Sequence, residues 1–289
     1  LKSTCKDRYY KGKYGNEGEI ALEKVRLNNG LSIPYLGTGT NTYGKENNDY
    51  NGKLNGDFSA LESAINLGYR LIDTAISYRN EAGVGKTIKD SGIPREEFFI
   101  TTKIPADDQY IKDKEAVRQT LDQSLENLQT DYIDLYLIHK PIEDEEKLRL
   151  TWEVLEEYVG KDKIKTIGVS NFSIDDLKRL DAFATVKPAV NQIKSNPTEW
   201  NNEWIKYMFK EDIRPQAWGP MKTSEAHREV LGDIGTAYNK TWGQVLLRYQ
   251  TQRGVIVIPK SHNPENQKAN LESLDFTLSD EDMSRIDEL

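Results

Sequence analysis

The sequence predicts an α/β protein built as a (β/α)8 barrel, with a short β-hairpin ahead of it. Three observations point there. Eight short apolar runs recur along the chain, at 35–37, 70–73, 99–102, 135–139, 166–169, 189–192, 215–217 and 255–258. Each is followed by at least one longer stretch with apolar residues at helical spacing. No G-x-G-x-x-G joins strand to helix in the first βα unit, which speaks against an open doubly wound sheet. Strict β-α alternation implies parallel strands, and eight of them can close on themselves.

The size fits. By length alone 289 residues suggests two domains, yet single α/β barrels of this length are common. We divide the chain into a polar arm over 1–23 and one barrel domain over 24–289. Val25 to Ile33 alternates around Asn29-Gly30, the preferred centre of a tight hairpin in which both central residues take positive φ. Helical patterns follow at 58–67, 117–128, 152–159, 175–183, 242–249 and 264–271. Residues 41–57 are rich in Asn, Gly, Asp and Lys, follow the first run, and read as a long mobile loop. The acidic run 144–146 reads as a helix start that complements the helix dipole.

Composition excludes several function classes. The balance of 39 basic and 47 acidic residues gives a net charge of −8, which argues against general binding to nucleic acid or anionic membranes. One cysteine, Cys5, rules out an internal disulfide and a cysteine-cluster metal site, and three histidines leave little for a metal centre, so no metal is expected. No run reaches the roughly 18 apolar residues of a membrane helix. Residues 1–20 lack an apolar signal core, so the expectation is a cytoplasmic enzyme.

In a barrel, chemistry gathers at the C-terminal ends of the strands. Asp73 ends the second run, Lys103 follows the third, and His139 ends the fourth. Side chains two apart on a strand share a face, so His139 sits with Leu137 and Leu135, and Lys103 with Thr101. Taken singly, an aspartate cap, a solvated lysine and a half-buried histidine would each be ordinary. Together they fall at one relative strand position and converge over one barrel mouth.

The stretches Leu71-Ile72-Asp73-Thr74-Ala75-Ile76-Ser77-Tyr78-Arg79-Asn80-Glu81, Thr102-Lys103, Leu137-Ile138-His139, Gly168-Val169-Ser170-Asn171-Phe172, Pro188-Ala189-Val190-Asn191-Gln192 and Ile258-Pro259-Lys260-Ser261 resemble aldo-keto reductases, in order from about Val25 onward. The resemblance implies a barrel closed at its bottom by the hairpin, the cofactor NADPH (with NADH possible), and reversible reduction of carbonyls to alcohols. It also implies a small-molecule carbonyl partner and a monomer or small oligomer.

The family's catalytic tetrad carries over as Asp73, Tyr78, Lys103 and His139. Hydride addition to a carbonyl leaves an alkoxide that needs a proton. Lowering a tyrosine pKa by about 3 units takes roughly 4 kcal/mol, about what one ammonium at ~4 Å supplies at an effective dielectric near 20. Lys103 is therefore expected to lower the pKa of Tyr78, Asp73 to hold Lys103 charged, and His139 to orient the carbonyl and share proton delivery. The resemblance assigns Gly39 and Thr40 to the cofactor site. It assigns Ser170, Asn171 and Gln192 to the nicotinamide carboxamide, Trp218 to stacking on that ring, Lys260 and Ser261 to the 2′-phosphate, and Asn270 to the adenine. Asn263 caps the next helix, with Pro264 at its first position.

Departures from the family pattern matter too. Asn266 stands where the family commonly has an Arg, and Ala269 where it often has a Glu, which predicts a weakened preference for NADPH over NADH. Asn41 replaces an aromatic, Lys140 a tryptophan, and Lys194-Ser195-Asn196 a Glu-Tyr-His run. The expected pocket is polar and positive, with Asn41 and Lys140 near a small substrate: a sugar-derived keto acid, an α-dicarbonyl or a short aldehyde. Two other functions compete. A Schiff-base aldolase or isomerase would use Lys103 as nucleophile, and a non-catalytic regulatory barrel would bind NADPH without turnover.

Overall fold

The computed structural model of the protein describes residues 22–289. Most of the arm expected over 1–23 lies outside the described residues. Its last two residues are docked: Leu22 packs on the core, and Glu23 pairs with Arg248 at 3.2 Å.

The hairpin joins β1 (Lys24–Arg26) to β2 (Ser32–Pro34). Its turn differs from the expected one. Only Gly30 takes positive φ, at 89°, and Gly30 N donates to Leu27 O at 2.9 Å. This is a turn followed by a bulge rather than a two-residue loop. The asparagines explain the difference, because both reach across to the barrel bottom. Asn28 Nδ2 donates to the carbonyls of Pro188 and Asp212 at 3.0 and 3.1 Å, and Asn29 Nδ2 to that of Lys165 at 3.2 Å.

Among the described residues eight strands form the barrel: β3 (Thr38–Gly39), β4 (Leu71–Asp73), β5 (Phe99–Ile104), β6 (Ile133–Ile138), β7 (Ile164–Ser170), β8 (Val190–Lys194), β9 (Arg214–Trp218) and β10 (Ile256–Val257). Each pairs in parallel with its neighbour in chain order. The ring closes where Leu36 bridges Val257, Gly37 N donates to Val257 O at 2.9 Å, and Val257 N to Tyr35 O at 2.8 Å. The first run thus serves two neighbours in turn: 35–37 bonds the last strand and 38–39 bonds β4. Such an offset is what the stagger of a closed barrel requires.

Alternation along the strands sorts the core into two layers. Leu71, Phe99, Leu135, Val190 and Ile256 point inward, with Leu27 and Ile33 of the hairpin region plugging the bottom. Ile72, Ile100, Tyr136, Ile167, Ile193 and Val257 pack outward against the helices. Gly168 keeps the interior from overfilling, since a Cβ there would lie 2.4 Å from Val190 O and 2.9 Å from Leu137 Cδ2.

The six expected helices form as Ser59–Leu67, Lys114–Asn127, Glu145–Gly160, Ile174–Asp181, Trp242–Gln252 and Pro264–Leu271. Asp144 caps the third, accepting from Lys147 N, and Asn263 caps the last, accepting from Glu265 N, with Pro264 in the first turn. Among the described residues no helix is long and apolar enough to cross a membrane.

The loop over 41–57 carries internal structure. Lys45 bridges Leu54, Gly44 N donates to Asp57 O at 2.9 Å, and Glu46 N to Lys53 O at 2.9 Å. Gly52 sits so close to Glu46 that a Cβ would fall 2.4 Å from its carbonyl oxygen.

Candidate active site

A cavity of about 500 Å³ opens at the C-terminal ends of the strands. Strand ends deliver Asp73, Ser170 and Trp218, and β8 delivers Gln192. His139 follows β6, and Asn171 follows β7 with φ 60°, a conformation asparagine tolerates better than most residues. Tyr78 ends a short 3₁₀ turn, Ile76–Tyr78, that brings its ring back over the mouth.

Lys103 is the centre of the network. It is 0% exposed, and its ammonium donates to Asp73 Oδ2 at 2.7 Å, Thr74 O at 2.8 Å and Tyr78 Oη at 3.2 Å. An ammonium has three donors, and all three are used. Burial works against the charge, but Asp73 and Tyr78 more than offset it, so the Lys103 pKa is raised. The other oxygen of Asp73 accepts from Gln192 Nε2 at 2.7 Å. Gln192 therefore belongs to the charge network as well as to the cavity wall, a role its place in the sequence did not suggest.

The expected lowering of the Tyr78 pKa does not follow. Burial pushes the phenol up and dominates. Lys103 pulls it down, and Asp73, 2.7 Å from that ammonium, cancels part of the pull. The phenol is thus firmly protonated at neutral pH. His139 goes the other way: burial, with Lys103 and Lys140 nearby, lowers its pKa to about 3. Its ring meets Tyr78 edge to face at 5.7 Å between centroids. A neutral imidazole can donate a hydrogen bond to a carbonyl, whereas proton delivery from this ring needs the imidazolium, which the lowered pKa disfavours.

Around the cavity the polar groups hold one another. Asn171 Nδ2 donates to Ser170 Oγ at 3.2 Å, and Trp218 Nε1 donates to Asn171 Oδ1 at 2.8 Å. Trp218 leaves an apolar face open, at 38% exposure. Gly39, Thr40, Asn41 and Lys260 line the cavity too, with Lys260 Nζ on Asn41 Oδ1 at 2.9 Å.

Other expected residues fall elsewhere. Lys140 lies outside the lining and pairs with Asp107 at 3.5 Å, and Lys194 is tied to Glu199 at 2.7 Å, so neither makes the cavity positive. Asn270 is buried in the helix Pro264–Leu271, and Ser261 caps its own turn through Asn263 N at 3.1 Å. Neither belongs to the lining. Sequence reasoning missed Tyr50, Met221 and Lys222, which do line it. For Tyr50 the signal was there: a large aromatic in an otherwise polar loop, placed by the fold at the active end of the barrel.

A parallel barrel with a buried lysine linking a carboxylate to a cavity-lining phenol defines a class of oxidoreductase, and the comparisons agree. Residues 35–289 match the model of the Aldo/keto reductase family. The chain is 41% identical over 268 residues to the glyoxal reductase of Bacillus subtilis (strain 168), covering 92% of each protein. Among solved structures it resembles an aldo/keto reductase from Brucella melitensis, with TM-score 0.83, 38% identity, and coverage of 92% of this chain and 99% of that one. An aldo-keto reductase complexed with NADPH matches with TM-score 0.84 and 32% identity, over 93% of this chain and 88% of that one. The chain belongs to the aldo/keto reductase family and is an NAD(P)H-dependent oxidoreductase.

Proposed function

We propose that the protein reduces small polar carbonyl compounds, α-dicarbonyls and short aldehydes, to alcohols with NADPH, with Tyr78 as the general acid. The observation that carries this reading is the Lys103 ammonium 3.2 Å from Tyr78 Oη at the cavity floor. The relative named glyoxal reductase supports the substrate class.

The residues present fit the cofactor. The open indole face of Trp218 suits a flat ring. Ser170, Asn171 and Gln192 line the cavity and suit a carboxamide, and Gln216 Nε2 beside Gln192 is buried with no partner. Lys260 is the cation for a phosphate. When bound, the reduced nicotinamide supplies a hydride to the carbonyl carbon. The rest falls to this chain. His139 donates a hydrogen bond to the carbonyl oxygen, and Tyr78 Oη gives that oxygen its proton. Lys103 stabilises the phenolate left behind, and Asp73 keeps Lys103 charged and in place. A protonated phenol with a raised pKa is the resting form this step needs, and the ammonium acts as negative charge develops on the ring oxygen.

The Schiff-base alternative conflicts with the same geometry. A nucleophilic amine must be neutral and reachable, whereas Lys103 is charged, buried and fully hydrogen-bonded.

The test is NADPH oxidation over glyoxal, methylglyoxal and short aldehydes, with Tyr78→Phe as control. Wild type turns over, and the variant loses about 10²–10⁴-fold in kcat, the usual worth of a general acid. NADPH binding without turnover on any of these compounds rejects the reading.

A further inference from the structure

Arg79 directly follows Tyr78 and has no part in the chemistry above. Its side chain reaches the 41–57 loop, where Nη2 donates to the carbonyls of Tyr50 and Gly52, each at 3.0 Å. The Tyr50 carbonyl also accepts from Lys45 Nζ at 2.7 Å, and that ammonium lies 4.6 Å from the centre of the Tyr50 ring. Lys45 is 1% exposed, and burial together with the charges of Arg79 and Lys260 pulls its pKa down to about 8. Two cations on one carbonyl repel each other, so this grip carries a cost. It places one residue. The Tyr50 ring meets Tyr78 edge to face at 6.0 Å, its hydroxyl donates to Ser77 O at 3.4 Å, and it walls the cavity beside the phenol while 40% exposed.

We propose that Arg79 is a latch. It fastens the 41–57 loop to the turn that carries Tyr78, so that Tyr50 is a fixed wall limiting the substituent a carbonyl substrate can present beside the acid. This rests on the reductase reading and makes it more specific. A wall held before binding rejects bulk by collision and requires no ordering when a small substrate enters. Arg79 is a positioning residue, acting through Tyr50.

The experiment compares methylglyoxal with phenylglyoxal, two dicarbonyls that differ in substituent size. Wild type, Arg79→Met, Arg79→Lys, Tyr50→Ala and the Arg79→Met/Tyr50→Ala double variant are assayed with NADPH. Arg79 sits at φ 61°, where Met bears the same backbone cost, so the substitution isolates the side chain. Losing charge-assisted bonds shifts the kcat/KM ratio toward phenylglyoxal by about tenfold in Arg79→Met, through KM, with kcat on methylglyoxal within about twofold. Arg79→Lys restores part of the discrimination. The double variant matches Tyr50→Ala, because the two residues act in series. An unchanged ratio, additive losses, or a fall in kcat with a shifted alkaline limb overturns the proposal. Limited proteolysis after Lys53 reads the latch without turnover: Arg79→Met is cut faster than wild type, and equal rates overturn it. If wild type reduces neither dicarbonyl, the substrate reading fails, while the proteolysis result still decides the latch.

Discussion

At the lower end of the barrel, Leu71, Phe99, Leu135 and Val190 pack against the hairpin region as an apolar plug. Two to four residues on, the same strands bring Asp73, Lys103, His139 and Gln192 to the upper opening on the same inward face. The plug is stabilised by removing apolar surface from water, at about 25 cal/mol per Å². The upper end instead holds a charge pair out of water, where desolvation can exceed the Coulombic gain. One end of each strand thus stabilises the fold, and the other holds a costly arrangement that the rest of the molecule sustains.

That contrast can be broken most forcefully with Asp73→Asn, which leaves the buried Lys103 ammonium without its charge partner. We expect a loss of about 3–5 kcal/mol in urea unfolding together with collapse of kcat, since a buried pair with one member removed is strongly destabilising. Leu135→Ala at the lower end removes a fully buried side chain and is expected to cost about 2–5 kcal/mol, with kcat/KM unchanged where the variant is folded. A fall in kcat there would show that the two ends are not separable.

A smaller effect lies in pH. His139 is neutral in the folded protein down to about pH 3, whereas in the unfolded chain it gains a proton below its ordinary 6.5. The unfolded state therefore binds more protons between these values. The stability this neutral ring contributes is complete above pH 6.5 and is lost as pH falls toward 3. His139→Asn should flatten the acid side of the Tm–pH curve, and a parallel curve refutes the assignment. Reduction itself should stay level through neutral pH and decline only in the alkaline range, because the Tyr78 pKa is raised above 10.0.

The least effect is expected at the rim. Lys140→Ala removes an exposed pair with Asp107, worth about 0–1 kcal/mol at most. Its activities on glyoxylate and on methylglyoxal should match wild type within about twofold, the scale of such a contribution. Selective loss on the anionic substrate would return Lys140 to the binding site.

Asp73, Lys103 and His139 were legible because a strand's two-residue period and the shared strand-end position follow from the chain itself. Tyr78 and the cavity-lining Ser170, Asn171, Gln192, Trp218 and Lys260 are legible only through the resemblance. Lys140 was misplaced because adjacency to His139 along the chain does not say which way a side chain after a strand end turns. Here Asp107, from the neighbouring βα loop, draws it outward. Tyr50 is not legible in the sequence because its neighbours there are loop formers, and tertiary contacts from Lys45, Arg79, Ser77 and Tyr78 place it at the mouth.

By itself, then, the sequence determined the order of the strands, the apolar lining and the residue types at the strand ends, since periodicity is a local property. Three-dimensional packing decided the protonation states and the walls of the cavity. Tyr78 stays a phenol and His139 stays neutral because burial and neighbouring charges, brought together from distant segments, set the field each group feels.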